Sequence, residues 1–462
     1  MAAEQKKLRE EKDTMGSVYV PDDAYYGAQT YRAQENFPIS DLRLPSSFIR
    51  MLAMIKKHGA RVNKQLKRIP GDHADAVDQA AQEVIAGNFN DQFIVDLFQT
   101  GSGTSTNMNL NEVIATRANE ILTGKRSVKT PVHPNDTVNL GQSSNDVIPT
   151  AIHMSAAEGI HRKLKPALTR LHRALNDKSV AFREITKVGR THLQDAVPMT
   201  LGQEFSGYAR QIEQAIERIE SVYPRLTELA LGGTAVGNGL NAHPEFASLV
   251  IKQIAEETGI SFSEAANHFS AQGSQDTAVE LSGVLKSLAV SLLKIANDLR
   301  LLASGPKCGL GEINLPSLQP GSSIMPGKVN PVIPEAVVQV AAQVVGNDAT
   351  ITMGGQWGML ELNVMLPVIA YNLIQSIELL SNASWAFADK CIDGITVNRE
   401  RCLQYVKQSS ALVTYLIPHI GYDKAAAVAK QSEQTGKSVP ELVREEGVVS
   451  NEVFKELFGD LV

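Results

Sequence analysis

Residues 281–302 read LSGVLKSLAVSLLKIANDLRLL, a run without proline and with a single glycine. Leu281, Val284, Leu285, Leu288, Leu292, Ile295, Leu299 and Leu302 recur at spacings of three and four. That period places them along one face of a helix about six turns long. Leu164, Leu168, Leu171 and Leu175 form a shorter stripe, and similar patterns run through 199–231 and 361–388 with few breakers. Helices this long, apolar over more than one face, predict a mainly α fold built on a central bundle. Their outer faces pack either within a large monomeric core or against other subunits, and periodicity alone leaves both open.

The flanking segments differ from this centre. Residues 1 to about 45 hold strand-like and turn-like pieces, such as Val18-Tyr19-Val20 before Pro21-Asp22-Asp23, and a helical pattern with polar loops continues to 140. After about 395 the helical pieces are short, with turns at 418–421 and Gly436. Three domains are expected: 1–140, 141–395 and 396–462. No internal repeat or low-complexity linker is seen.

A chain of 462 residues, 43% hydrophobic and 20% charged, has the composition of a globular protein with a large core. Its net charge of -6 and the lack of a basic stripe argue against nucleic acid as a partner. An anionic substrate then requires a locally positive pocket. Cys308, Cys391 and Cys402 lack CxxC spacing, which fits a reducing compartment. The opening MAAEQKKLREEKDTMG has no signal-peptide core, and no apolar run spans a bilayer uninterrupted. A cytoplasmic protein is expected, with a processed mitochondrial form as the alternative.

Four polar, glycine-rich patches interrupt the helical pattern: 100–109, 133–146, 189–195 and 304–330. The first, TGSGTSTNMN, sets Ser102 and Thr104 before a helical segment, where hydroxyls and free N–H groups either hold a carboxylate or simply cap the helix. The second begins with His133, Asn135 and Asp136 and ends with Ser143, Ser144 and Asn145 at the start of a long helix; taken in isolation it reads first as a solvated turn and N-cap, and second as a set of hydroxyls and an amide presented to a ligand. The third, GRTHLQD, offers Thr191 and His192 in a break between helices. Histidine is the natural acid or base near neutral pH, and a structural histidine is the alternative. No HExxH or regular His/Cys spacing accompanies it, so metal catalysis is not expected.

The fourth patch contains GSSIMPGKVNP, residues 321–331. Glycine, hydroxyls, glycine and lysine suggest an anion-holding loop, but it is not a nucleotide P-loop. Five residues separate Gly321 from Gly327, and Val329 stands where a magnesium-binding Ser or Thr is needed. Pro331 and Pro334 suit a helix start, placing Glu335 in its first turn, where the spacing alone supports a dipole partner and an orienter of a histidine from another segment is the functional alternative. Ser, His and acid without a G-x-S-x-G elbow do not make a hydrolase triad. Together the patches suit a small polycarboxylate from which a proton is moved.

These blocks resemble the signature regions of the fumarase/aspartase superfamily over nearly the whole chain. GSSIMPGKVNP is similar to the superfamily signature, while TGSGTSTNMNLNEVI, HPNDTVNLGQSSNDVIPTA, GRTHLQDAVPMTLGQEF and GGTAVGNGLN look like blocks of the class II fumarase branch. The resemblance implies a three-domain, mostly helical subunit, a homotetramer with active sites shared between subunits, and reversible addition of water to fumarate without metal or organic cofactor. It casts Ser322 as the base at C3 of malate, His192 as the acid for the departing hydroxyl and Glu335 as its orienter. Lys328 and Asn330 hold the charge of an aci-carboxylate. Ser102, Thr104, Ser143, Ser144, Asn145, Thr191 and Ser323 clamp the substrate carboxylates. His133, Asn135 and Asp136 match an accessory carboxylate site, although Thr130 stands where some members carry arginine. Two alternatives remain: an aspartate ammonia-lyase on the same scaffold, and an inactive helical assembly protein. Ser144, His133 and Gly327 lean towards the fumarase branch.

Overall fold

The structure, a computed structural model, describes residues 7–459; residues 1–6, part of the opening read for a targeting signal, lie outside the described residues. The chain begins with an antiparallel hairpin, Leu8–Asp13 with Gly16–Pro21, where the alternating Val18-Tyr19-Val20 stretch predicts a strand. The helices Ser46–Gln65, Gly71–Ile85 and Thr104–Thr123 follow. Pro45 and Pro70 stand at the N-caps of the first two, where a missing N–H costs nothing, and Gly124 ends the third in a left-handed C-cap.

The long helices come next. Ser144–Gly159 continues through a π turn, Ile160–Leu164, into Lys165–Ala181, and Leu201–Leu226, Asp276–Leu302, Val332–Gly355 and Leu366–Lys390 complete the set. The predicted stripe is buried: Leu281, Leu285, Leu288, Ile295 and Leu299 have no exposed surface, and neither have Leu164, Leu168, Leu171 and Leu175. Each such leucine contributes roughly 1.5–3 kcal/mol by leaving water. Val284 is only half-buried, while Val290 and Leu301, on other faces of the same helix, are exposed. The fold is mainly α, and its longest helices carry the apolar stripes read from the sequence.

By compactness the chain forms two units. The first comprises residues up to Pro166, Glu217–Ser287 and Ala342–Leu380; the second comprises Ala167–Ile216, Leu288–Ala341 and the chain from Ser381 onward. In the second unit the short terminal helices enclose a core of Val406, Leu412, Leu416, Val439, Val443, Phe454 and Phe458. Val188, from a strand far earlier in the chain, plugs into that core.

That strand corrects the sequence reading of 189–195 as a simple break between helices. Thr186–Thr191 and Gln194–Thr200 form a two-stranded antiparallel hairpin with a bulge at Gly189. The strand signal is weak because the bulge breaks the alternation, and the turn residues are His-Leu instead of the usual Asn-Gly.

Among the described residues, no helix is long and apolar enough to cross a membrane. All three cysteines are free, with Cys308 exposed and Cys391 and Cys402 buried. Burial pushes the Cys391 thiol up to about 12 and the Cys402 thiol up to about 11. A thiol reagent at pH 8 is therefore expected to modify one cysteine per native chain and three after unfolding; three in the native protein would contradict this burial.

Candidate active site

The first unit carries two of the patches. The chain turns from 100 to 103 against residue Val364, whose carbonyl oxygen lies 1.9 Å from where a Cβ on Gly101 would sit. Only glycine permits that approach. The turn delivers Ser102, nearly buried, to a 2.8 Å hydroxyl–hydroxyl hydrogen bond with Thr104, the first residue of its helix. The Gln99 carboxamide oxygen accepts the Thr106 N–H at 2.9 Å, so one orphan donor of the helix start is satisfied from outside the cap.

His133 caps the π turn Pro134–Val138: its Nδ1 accepts the N–H groups of Asn135 and Asp136, both at 3.2 Å. Neutral His133 thus carries its proton on Nε2. Ser143 caps Ser144–Gly159 in a capping box, with its hydroxyl accepting from Asn145 N–H at 3.2 Å and its own N–H donating to Asp146 at 2.9 Å. The glycine-rich block after 231 supports this end. Gly232 and Thr234 donate to the other Asp146 oxygen at 3.1 and 2.9 Å, and the Asn145 amide donates to the Ala235 carbonyl at 2.8 Å. Ser143, Ser144 and Asn145 are therefore held together at one helix N-terminus, as the sequence suggests.

Behind that terminus lies a group the sequence reading passes over. Lys56 has no exposed surface, and its ammonium donates to Asn139 Oδ1 at 2.8 Å and Gln142 Oε1 at 3.0 Å. Asn107 donates to Asn139 Oδ1 and to Ser144 Oγ, each at 3.2 Å. Burial pushes Lys56 down to about 7, against the pull of Asp146, and pushes Asp146 up to about 6, against its three main-chain hydrogen bonds. The available clue was a lysine inside the apolar run LAMIK, four residues after Leu52.

The second unit carries the other patches. His192 and Leu193 are the two loop residues of the hairpin, between the paired Thr191 and Gln194. Both are left-handed, with φ of 55° and 60°, the geometry of a type I′ turn. For non-glycine residues this costs on the order of 1–3 kcal/mol each, a strain that needs a rigid support. The support is ionic. Glu312, with no exposed surface, takes a bidentate pair from Arg190 at 2.9 and 3.1 Å, while Lys187 sits 2.9 Å from Glu204 and 3.7 Å from Glu312. Glu312→Ala would strand Arg190 and leave Lys187 to Glu204 alone, and is expected to cost about 3–5 kcal/mol in urea unfolding; a loss below about 1 kcal/mol would show that the cluster does not hold the hairpin.

Loop 304–330 closes on itself at Gly321. The Gly321 N–H donates to the Lys328 carbonyl at 2.9 Å, and the Asn330 amide donates to the Gly321 carbonyl at 2.6 Å. A Cβ on Gly321 would lie 2.4 Å from the Lys328 carbonyl oxygen, so the pinch needs glycine. Inside the pinch, Ser322 Oγ accepts the N–H groups of Ile324 at 3.2 Å and Met325 at 3.0 Å. Two main-chain donors on one hydroxyl oxygen favour the alkoxide over the alcohol. Ser323 and Lys328 are exposed, and Glu335 lies in the first turn of Val332–Gly355. Among the described residues, the side chains of His192, Lys328 and Glu335 form no hydrogen bond within the chain. The structure thus builds each patch, and within the second unit no bond joins Glu335 to His192.

Residues 16–346 match the family described as lyase, and residues 412–459 match the family described as fumarase C C-terminus. The chain belongs to this lyase family. It is similar to the class II fumarate hydratase of Nitrosomonas europaea, at 53% identity over 97% of each chain. It is also similar to that of Halobacterium salinarum, at 55% identity over 96% of this chain and 94% of the relative. A crystal structure of class II fumarase from Schistosoma mansoni superposes with a TM-score of 0.94 at 42% identity, covering 98% of both chains. Within the family, the chain falls in the class II fumarate hydratase branch.

Proposed function

We propose that the chain catalyses the reversible hydration of fumarate to L-malate and that Ser322 and His192 move the protons. The observation that carries the residue roles is the pair of main-chain N–H groups on Ser322 Oγ. In the direction of dehydration, the Ser322 alkoxide takes a proton from C3 of malate. The C–H electrons move into the adjacent carboxylate, which becomes an aci-carboxylate carrying one further negative charge. Lys328 and the free N–H of Asn330 hold that charge, and their worth lies in being placed before it develops. The C2 hydroxyl then leaves with a proton from His192, delivered through water and supported by Glu335. Fumarate and water result, and no redox step is involved.

Ser102, Thr104, Ser143, Ser144, Asn145, Thr191 and Ser323 clamp the two carboxylates. His133, Asn135 and Asp136 form an accessory carboxylate site, reached through the His133 Nε2–H. The three-part domain organisation and a cytoplasmic location complete this reading.

Four copies assemble through the long helices, and each active site takes its patches from different chains. Supporting this are apolar side chains exposed on those helices: Val290, Leu301, Val345, Met353 and Trp385. A bundle that left them in water would be an aggregation hazard. Ser322→Ala and Asn145→Ala chains, each nearly inactive alone, are expected to regain about a quarter of the wild-type activity when assembled together. Mixed assemblies with no gain would mean that each site lies within one chain.

The reaction itself is tested by the ultraviolet absorbance of fumarate's conjugated double bond. Purified protein is expected to raise it from L-malate, and to do so equally after dialysis against EDTA. A rise from L-aspartate alone would assign the chain to the ammonia-lyases instead.

A further inference from the structure

We infer that Lys56 is a positioning residue for substrate binding, acting through Asn139 and Asn107 to commit the Ser144 hydroxyl as a hydrogen donor to a substrate carboxylate. The inference rests on the reading of Ser144 as part of the carboxylate clamp. Its ground is the direction of a buried chain of hydrogen bonds.

An ammonium has three donors and no acceptor. Lys56 therefore requires oxygens from its neighbours, and Asn139 and Gln142 supply them at 2.8 and 3.0 Å. The Asn139 Nδ2 in turn donates to the Gln142 carbonyl at 3.1 Å, so both ends of its amide are fixed. With Oδ1 facing Lys56, Asn139 accepts from Asn107 and Asn111 as well, at 3.2 and 3.3 Å. Asn107 is thereby turned with Nδ2 towards Asn139, and the same Nδ2 donates to Ser144 Oγ at 3.2 Å. Its own Oδ1 is left buried without a partner, as is that of Asn111. Buried amide oxygens without donors are costly, so this orientation is imposed by the rest of the chain.

Ser144 Oγ, already accepting from Asn107, turns its O–H outward from that chain as a donor. An anion prefers that end of the hydroxyl. In its protonated form Lys56 also adds a charge in a dry setting, where it is felt more strongly than at a surface. Asp146 is the opposing charge, and its carboxylate is engaged by the N–H groups of Ser143, Gly232 and Thr234.

Steady-state kinetics with L-malate, and inhibition by succinate as a saturated dicarboxylate, test the inference in the assembled enzyme. Lys56→Met keeps an unbranched side chain, one atom shorter, and removes the donor. It is expected to raise KM and the succinate Ki together by about tenfold or more, with kcat changed less than about threefold. Asn107→Asp, nearly isosteric, can only accept from Ser144; it is expected to raise both constants in the same way. Because the two residues act in one chain, the double variant is expected to be no worse than the stronger single one. A fall in kcat with KM unchanged, or effects that multiply in the double variant, would overturn the inference. Should Lys56→Met not fold, Asn107→Asp decides alone: unchanged KM overturns the relay. Ser144→Ala separates the two levels. If it leaves KM unchanged, Ser144 is not in the clamp; if it raises KM while Lys56→Met is silent, only the relay falls.

Discussion

Ser322→Ala is expected to lower kcat for L-malate by about a thousandfold or more, with KM changed only a fewfold, since a positioned base contributes about 10²–10⁴. The substitution removes one oxygen, and its two donors, the N–H groups of Ile324 and Met325, belong to residues exposed to water. The loop stays closed through Gly321, Lys328 and Asn330, whose hydrogen bonds do not involve the Ser322 side chain. The loss is therefore expected in chemistry and not in folding, with an unchanged thermal midpoint as the control. The sharper readout is isotopic. If Ser322 takes the C3 proton, exchange of that hydrogen with solvent deuterium falls along with turnover. A variant that keeps more than about a tenth of normal activity would remove Ser322 from the role of base.

The loop around Ser322 also shows how far the sequence carries. Glycine, hydroxyls and lysine announce an anion site, and their failure to fit a P-loop excludes nucleotide. Helices are equally legible wherever one face meets the core, as in the leucines from 281 to 302. Legibility fails where local pattern and tertiary support part company. The hairpin at 186–200 has a bulge, an unusual turn and an ionic base at Glu312, more than a hundred residues away in sequence. No local period records such a partner. Lys56 is hidden for the opposite reason. Its helix is obvious, but a lysine in an amphipathic run reads as solvent-facing until its acceptors, Asn139 and Gln142, are brought to it by the fold. Ser143, Ser144 and Asn145 were visible because a capping box is local, and its chemistry is written within four residues.

His192→Asn is expected to reduce the rate of fumarate formation by about a hundredfold, the lower range for loss of an acid. Asparagine is the informative choice here. His192 occupies the left-handed region at φ 55°, which asparagine tolerates better than other side chains do, so the turn survives while the titratable ring is lost. The ionic base at Arg190 and Glu312 is untouched. What separates this variant from Ser322→Ala is the order of events. Proton removal at C3 precedes departure of the C2 hydroxyl, so a chain lacking the acid still forms the aci-carboxylate and returns it to malate. Deuterium is then expected to enter C3 of malate faster than fumarate accumulates, whereas in Ser322→Ala both processes fail together. If His192→Asn instead abolished exchange along with turnover, the histidine would be the C3 base and the roles of the two residues would be reversed.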